Sequence, residues 1–180
     1  MDSIGLLRSR RLNAILGEIG NSEVDTANTH WQIWSFRPGP AFRQVERLFQ
    51  IEHYGTVAHW RPDVLRAARR QIVGLELEWV DPEGRKDPWD LVFVKIAQGR
   101  LMSRAGFSAY SSLRAEDDPG DSELLAAVDL KELMAQAVFE AEEASAEAGA
   151  EGTPQVSKRP SRRRWWRFWE PRGDDRSRKR

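Results

Sequence analysis

A chain of 180 residues with 40% hydrophobic and 31% charged side chains can bury one core and hardly two, so one domain with extensions is expected. It contains no cysteine, which excludes a disulfide framework, thiolate zinc sites and a cysteine nucleophile together. Its formal net charge of zero conceals a segregation: 16 basic and 13 acidic side chains in residues 1–115, one and 12 in 116–151, 11 and three in 152–180.

Blocks of one sign this dense do not easily share a compact core. The expected division is an α+β domain over 1–115, an acidic helix and linker over 116–151, and a disordered Arg/Trp-rich tail over 152–180. No run approaches the roughly 18 apolar residues of a membrane span, and "MDSIGLLRSRRL" has arginines where a signal peptide stays apolar. The expected location is cytoplasmic, peripheral at the inner membrane surface if the tail binds there.

In chain order, Leu12, Ile15, Leu16 and Ile19 fall on one helical face, and Gly20-Asn21 is a reasonable stop. "HWQIWSF" (30–36) reads as a strand closed by "RPGP". Phe42, Val45, Leu48 and Phe49 repeat at helical spacing, and "YGTVAHW" (54–60) reads as a strand. Residues 63–70 suit a helical turn or an extended chain equally. From Gln71 to Val80 the residues Val73, Leu75, Leu77 and Trp79 alternate as in a half-buried strand. "DPEGRKDP" supplies a turn, "WDLVFVKI" (89–96) the next strand, and "AQGR" a tight hairpin with Gly99 at positive φ before "LMSRAGFSAY" returns. Three consecutive antiparallel strands after two helices predict an α+β fold with a curved sheet.

Residues 75–116, "LELEWVDPEGRKDPWDLVFVKIAQGRLMSRAGFSAYSSLRAE", resemble the last half of the nuclear transport factor two-like superfamily, especially its bacterial SnoaL-like members. The matching positions are Trp79, Val92-Phe93, Gly99-Arg100-Leu101 and Leu113-Arg114-Ala115, with Gln98 where the family usually has an acidic residue. The resemblance implies a cone formed by a bent antiparallel sheet and closed by helices, a ligand cavity at the wide end and a homodimer through the sheet face. Enzymes of that fold place a carboxylate, histidine or tyrosine in the cavity for isomerase, cyclase or dehydratase-type proton transfer, and many members only bind.

For such chemistry the candidates are His59, Asp90 and Tyr110, with His30, His53, Tyr54 and Asp63 weighed beside them. The His53 to His59 spacing fits no metal site, and neither metal nor cofactor is expected. Trp34, Trp60, Trp79 and Phe93 would line a cavity for a small apolar or aromatic molecule, although large aromatics more often fill a small core. Two functions therefore stand: a small-molecule site with or without catalysis, and a noncatalytic interaction module.

After "EDDPGD", read as a breaker, Leu130, Leu133, Met134, Ala137, Val138 and Ala141 form a helical stripe, with Asp129 and Glu132 resembling a capping box. That stripe needs a partner, either the domain or another chain. In "SRRRWWRFWEP", Arg162, Arg163, Arg164 and Arg167 interleave with Trp165, Trp166, Phe168 and Trp169. This composition suits an anionic membrane surface, where rings sit at the interface and guanidinium groups meet headgroups. It suits single-stranded nucleic acid less well, and folding back onto the acidic helix is a third destination.

Overall fold

The computed structural model describes residues 3–24, 32–86, 88–91, 94–103 and 118–150. The first three strands are β1 (Gly5–Ser9), β2 (Ala14–Val24) and β3 (Gln32–Pro38). A 3-10 turn (Pro40–Gln44) then leads into α1 (Glu46–Val57) and α2 (Pro62–Gly74). β4 (Leu77–Val80), β5 (Trp89–Asp90), β6 (Val94–Ala97) and β7 (Arg100–Ser103) complete the sheet, followed by α3 (Pro119–Ala126) and α4 (Leu130–Ala150). The strands lie in the order β5-β4-β1-β2-β3-β7-β6, every pair antiparallel, and the sheet curls into a half-barrel. The α+β class with a curved antiparallel sheet is thus observed, and the Gln32–Pro38 strand lies where it was expected.

The stretch read as a first helix is instead β2. Leu16 and Ile19, three residues apart, are both buried because the β1–β2 register shifts between Leu7 and Arg8: Leu7 faces Gly17 while Arg8 faces Ile15. The extra residue opposite that step breaks the alternation of two and produces a helix-like spacing. Leu12 and Ile15, the other half of the supposed helical face, are exposed. Gly17 permits the close approach of β3, since a Cβ at that position would overlap the Arg37 carbonyl and the Phe36 ring.

"YGTVAHW" is likewise no strand. Residues through Val57 complete α1, where Phe49, Ile51, Glu52 and Gly55 are buried. A Cβ on Gly55 would come 2.7 Å from Leu65 Cδ2, so glycine permits the close approach of α2. His59 then adopts φ +49, and the Trp60 N–H reaches the Gly55 carbonyl at 2.9 Å. This is a left-handed helix terminus of the Schellman type.

The ambiguous 63–70 segment is helical, and α2 continues through Gln71 and Val73, so only Leu77–Val80 of the expected 71–80 strand is extended. Val64, Ala68 and Ile72, spaced by four, are buried and define its inner face. The predicted hairpin is present: Gln98 (φ +49) and Gly99 (φ +72) join β6 to β7, and the Gly99 carbonyl accepts from the Phe36 N–H of β3. Two positive-φ residues are what the type I′ turn requires. Strands β4 to β7 are nevertheless not a meander, because β4 and β5 form one end of the sheet and β6 and β7 the other.

The acidic block does not stand apart as a solvated unit. Asp118 caps α3, with Pro119 at its first turn, so "EDDPGD" starts a helix. Asp129 Oδ1 accepts from the Lys131 and Glu132 N–H groups at the start of α4. Leu125, Val128, Leu133 and Ala137 are buried with Ile51, Ala58, Val64, Ala67 and Ala68 of the first two helices. The stripe on α4 therefore finds its partner within the chain.

Candidate functional site

Among the described residues four carboxylates are buried, and three of them are engaged by arginines. Glu52 on α1 is 3% exposed, and its Oε1 accepts from Arg69 Nη2 of α2 at 3.1 Å and lies 3.3 Å from Lys95 Nζ of β6. The Thr56 hydroxyl, one turn on, donates to the Glu52 carbonyl and lies 3.3 Å from Oε1. Glu78 on β4 pairs with Arg8 of β1, its cross-strand neighbour. Asp121 on α3 takes a bidentate contact from Arg70 of α2, Nε to Oδ2 at 2.8 Å, with Asp118 3.8 Å from the same guanidinium. Asp121 holds the Arg70 guanidinium above its ordinary pKa. The fourth, Asp81, accepts from the Glu83 N–H at 3.1 Å in the turn after β4, and that hydrogen bond holds its carboxyl below the usual range.

The three ion pairs tie α1 to α2 and β6, β1 to β4, and α2 to α3. A buried carboxylate left without its cation is strongly destabilising, so each arginine is part of the architecture. Beside Glu52, His53 has its pKa lowered from 6.5 to about 4, chiefly by burial; Glu52 opposes the shift and Lys95 adds to it. At neutral pH the imidazole is uncharged and stacks edge-on against Tyr54, centroids 4.9 Å apart.

Of the residues singled out for catalysis, His59 and Asp90 are described, on different elements. Asp90 lies on β5 with its side chain 68% exposed, 3.0 Å from Arg10 Nη1. His59 is exposed at the terminus of α1, at φ +49. Tyr110 lies outside the described residues, as do His30, Phe93 and the whole segment Arg162, Arg163, Arg164, Trp165, Trp166, Arg167 and Trp169. Trp34 and Trp79 are half-buried against the sheet-side cluster, and Lys86 Nζ sits 5.8 Å above the Trp79 ring. Trp60 packs instead against the helical cluster. Trp34 and Trp79 therefore belong to one core and Trp60 to the other.

Glu52, Arg69, Lys95, Arg70 and Asp121 were not anticipated. Glu52 had a legible signal, since it falls three and four residues after Phe49 and Leu48 on the apolar face of α1. A charge on such a face calls for a partner, but the identity of Arg69 and Lys95 depends on tertiary contact alone.

The outer side of α4 presents another kind of surface. Phe139 is 62% exposed, Val138 55% and Met134 39%, on a helix that carries five glutamates and one lysine. Among the described residues no helix is long and apolar enough to cross a membrane, and no cluster of three metal-ligating side chains occurs. Comparison of the chain with protein-family models, with curated proteins and with solved structures finds no match.

Proposed function

We propose that this protein is a noncatalytic interaction module: an α+β body that displays an acidic helix and delivers the segment from Arg162 to Trp169 to an anionic membrane surface. The observation that carries this reading is the engagement of every buried carboxylate among the described residues. Glu52, Glu78 and Asp121 are held by arginines and Asp81 by a turn N–H, which commits the interior charge to holding elements together. A general base needs an accessible carboxylate or imidazole of raised or matched pKa, and His53 is shifted the other way. The composition of residues 162–169, by contrast, suits recognition of an anionic partner. Basic side chains near an anionic bilayer each contribute ~1 kcal/mol, and tryptophan rings add interfacial anchoring.

The test is sedimentation of the full chain with phosphatidylglycerol vesicles. Salt-sensitive binding is expected, absent with phosphatidylcholine and lost in a truncation ending at Thr153. Equal binding by the truncation would overturn the reading, and tighter binding to a single-stranded oligonucleotide than to vesicles would replace it with a nucleic-acid role.

A second reading keeps the SnoaL-like resemblance, with a small apolar or aromatic molecule held against Trp34 and Trp79 in the half-barrel. What favours it is that both indoles retain some exposure while packing on the sheet-side cluster. Saturable, stoichiometric binding of a flat apolar probe such as anilinonaphthalene sulfonate, with a rise in Tm, is its expected signature. Binding without stabilisation counts against it.

A further inference from the structure

The outward side of α4 is neither a core face nor an ordinary solvated one. Helical spacing sets Glu132, Ala135, Gln136, Phe139, Glu142 and Glu143 on the side away from the buried Leu133 and Ala137, and all six are exposed. Ala135, one turn before Phe139, presents only a methyl group, and Glu132, Glu142 and Glu143 share this side of the helix. A charged residue at position 139 would suit a solvated helix better than phenylalanine. An exposed ring among glutamates suits a partner that is apolar and cationic at once.

The chain itself supplies a segment of that chemistry. Residues 161–169 contain four arginines, three tryptophans and one phenylalanine, with no acidic side chain. Indoles can lie on Phe139 and Ala135 while guanidinium groups meet Glu132, Glu142 and Glu143, and an arginine over the Phe139 ring adds a cation–π contact. The reach is sufficient. Phe139 lies eleven residues before Ala150, roughly 16 Å of helix, and the eleven residues from Ala150 to Ser161 extend to roughly 36–40 Å.

We infer that the outer face of α4 is the docking seat of this chain's own Arg/Trp segment, residues 161–169, which is thereby held back from other anionic surfaces. A linker this short gives an effective concentration of about 1 mM, so even an intrinsic affinity of ~0.1 mM leaves about one chain in eleven undocked and weakens external binding about tenfold. Docking stands without any assumption about lipid; its regulatory consequence rests on the membrane reading proposed above.

The absence of cysteine makes a direct distance measurement simple. Nitroxides at Ser122→Cys, exposed on α3, and Ser161→Cys should report a narrow distance distribution in the full chain by double electron–electron resonance. It should become broad in Phe139→Ser/Glu142→Gln/Glu143→Gln, and equally in Arg162→Gln/Arg163→Gln/Arg164→Gln/Arg167→Gln, which leaves the folded body untouched. A broad distribution in the parent chain, a narrow one that survives either variant, or one abolished by excess unlabelled chain would overturn the inference, the last by showing contact between copies. In a separate arm, the α4 variant should bind phosphatidylglycerol vesicles about tenfold more tightly. Confirmed docking with unchanged vesicle binding would overturn the regulatory consequence and leave the docking in place.

Discussion

Beneath the curled sheet, Phe36, Phe42 and Phe49 pack ring against ring, with centroids 5.3 and 5.6 Å apart, among Leu7, Leu16, Ile19 and Leu101. Between the helices the buried residues are smaller: Ala58, Ala67, Ala68 and Ala137 surround Ile51, Val64, Leu125 and Leu133. Large side chains remove much apolar area from water per residue, whereas alanines let helices approach but contribute little area each. The helical half is accordingly fastened by polar latches. Arg70 grips Asp121, and the Arg47 guanidinium donates to the Leu125, Ala126 and Val128 carbonyls, which end α3 and lead into α4. Burial of large rings holds the sheet half, while α3 and α4 add directed contacts from Arg70 and Arg47 to their smaller buried core.

Phe49 closes one end of the aromatic stack and is 2% exposed, and its removal should cost most. Phe49→Ala should cost ~3–5 kcal/mol in a urea melt, with all probes of structure losing signal together. A loss under ~1 kcal/mol would show that the sheet-side cluster does not carry the fold.

Arg70→Ala strikes the other half by leaving Asp121 buried without its guanidinium. The expected loss is ~1.5–3 kcal/mol, confined to the helices. Amide exchange should accelerate in α3 and α4 while β1–β3 stay protected, and uniform acceleration would mean that the two halves open as one unit.

At the seam between the halves stands His53. Its folded pKa, about 4, lies below the unfolded value of 6.5, so the unfolded chain takes up the proton first. The stabilisation is complete above pH 6.5 and is lost as pH falls toward 4, amounting to roughly 1–2 kcal/mol between pH 7 and 5. His53→Gln should flatten that part of the stability profile. A parent chain equally stable at pH 7 and 5 would contradict the burial of this imidazole.

A smaller gain is expected at the end of α1. His59 occupies a left-handed position that glycine adopts without strain, so His59→Gly should raise stability by ~0.5–1 kcal/mol, and any loss of stability would point to a contact of the imidazole itself.

Some elements were legible because local chemistry alone decides them. The Gln98-Gly99 turn follows from two alternating stretches joined by residues that tolerate positive φ, and Asp129 caps α4 as a side-chain acceptor three residues before the Glu132 N–H. The α+β class and the curved antiparallel sheet needed only the sum of such signals. β2 was misread because a register shift against β1 gives a strand the spacing of a helix, which becomes visible only once the partner strand is in place. The end of α1 was misread because β-prone residues at 54–57 are overridden by burial of the helix face against α2 and α4. Charge segregation, a property of the chain, did not predict where residues 118–145 pack, because their carboxylates lie outward or on arginines while their leucines point in. The site residues divide in the same way. That residues 161–169 are cationic and aromatic is composition, but that Glu52 meets Arg69 and Lys95, and that Phe139 faces outward among glutamates, was decided by tertiary structure, because contacts between distant residues exist only after the elements have packed.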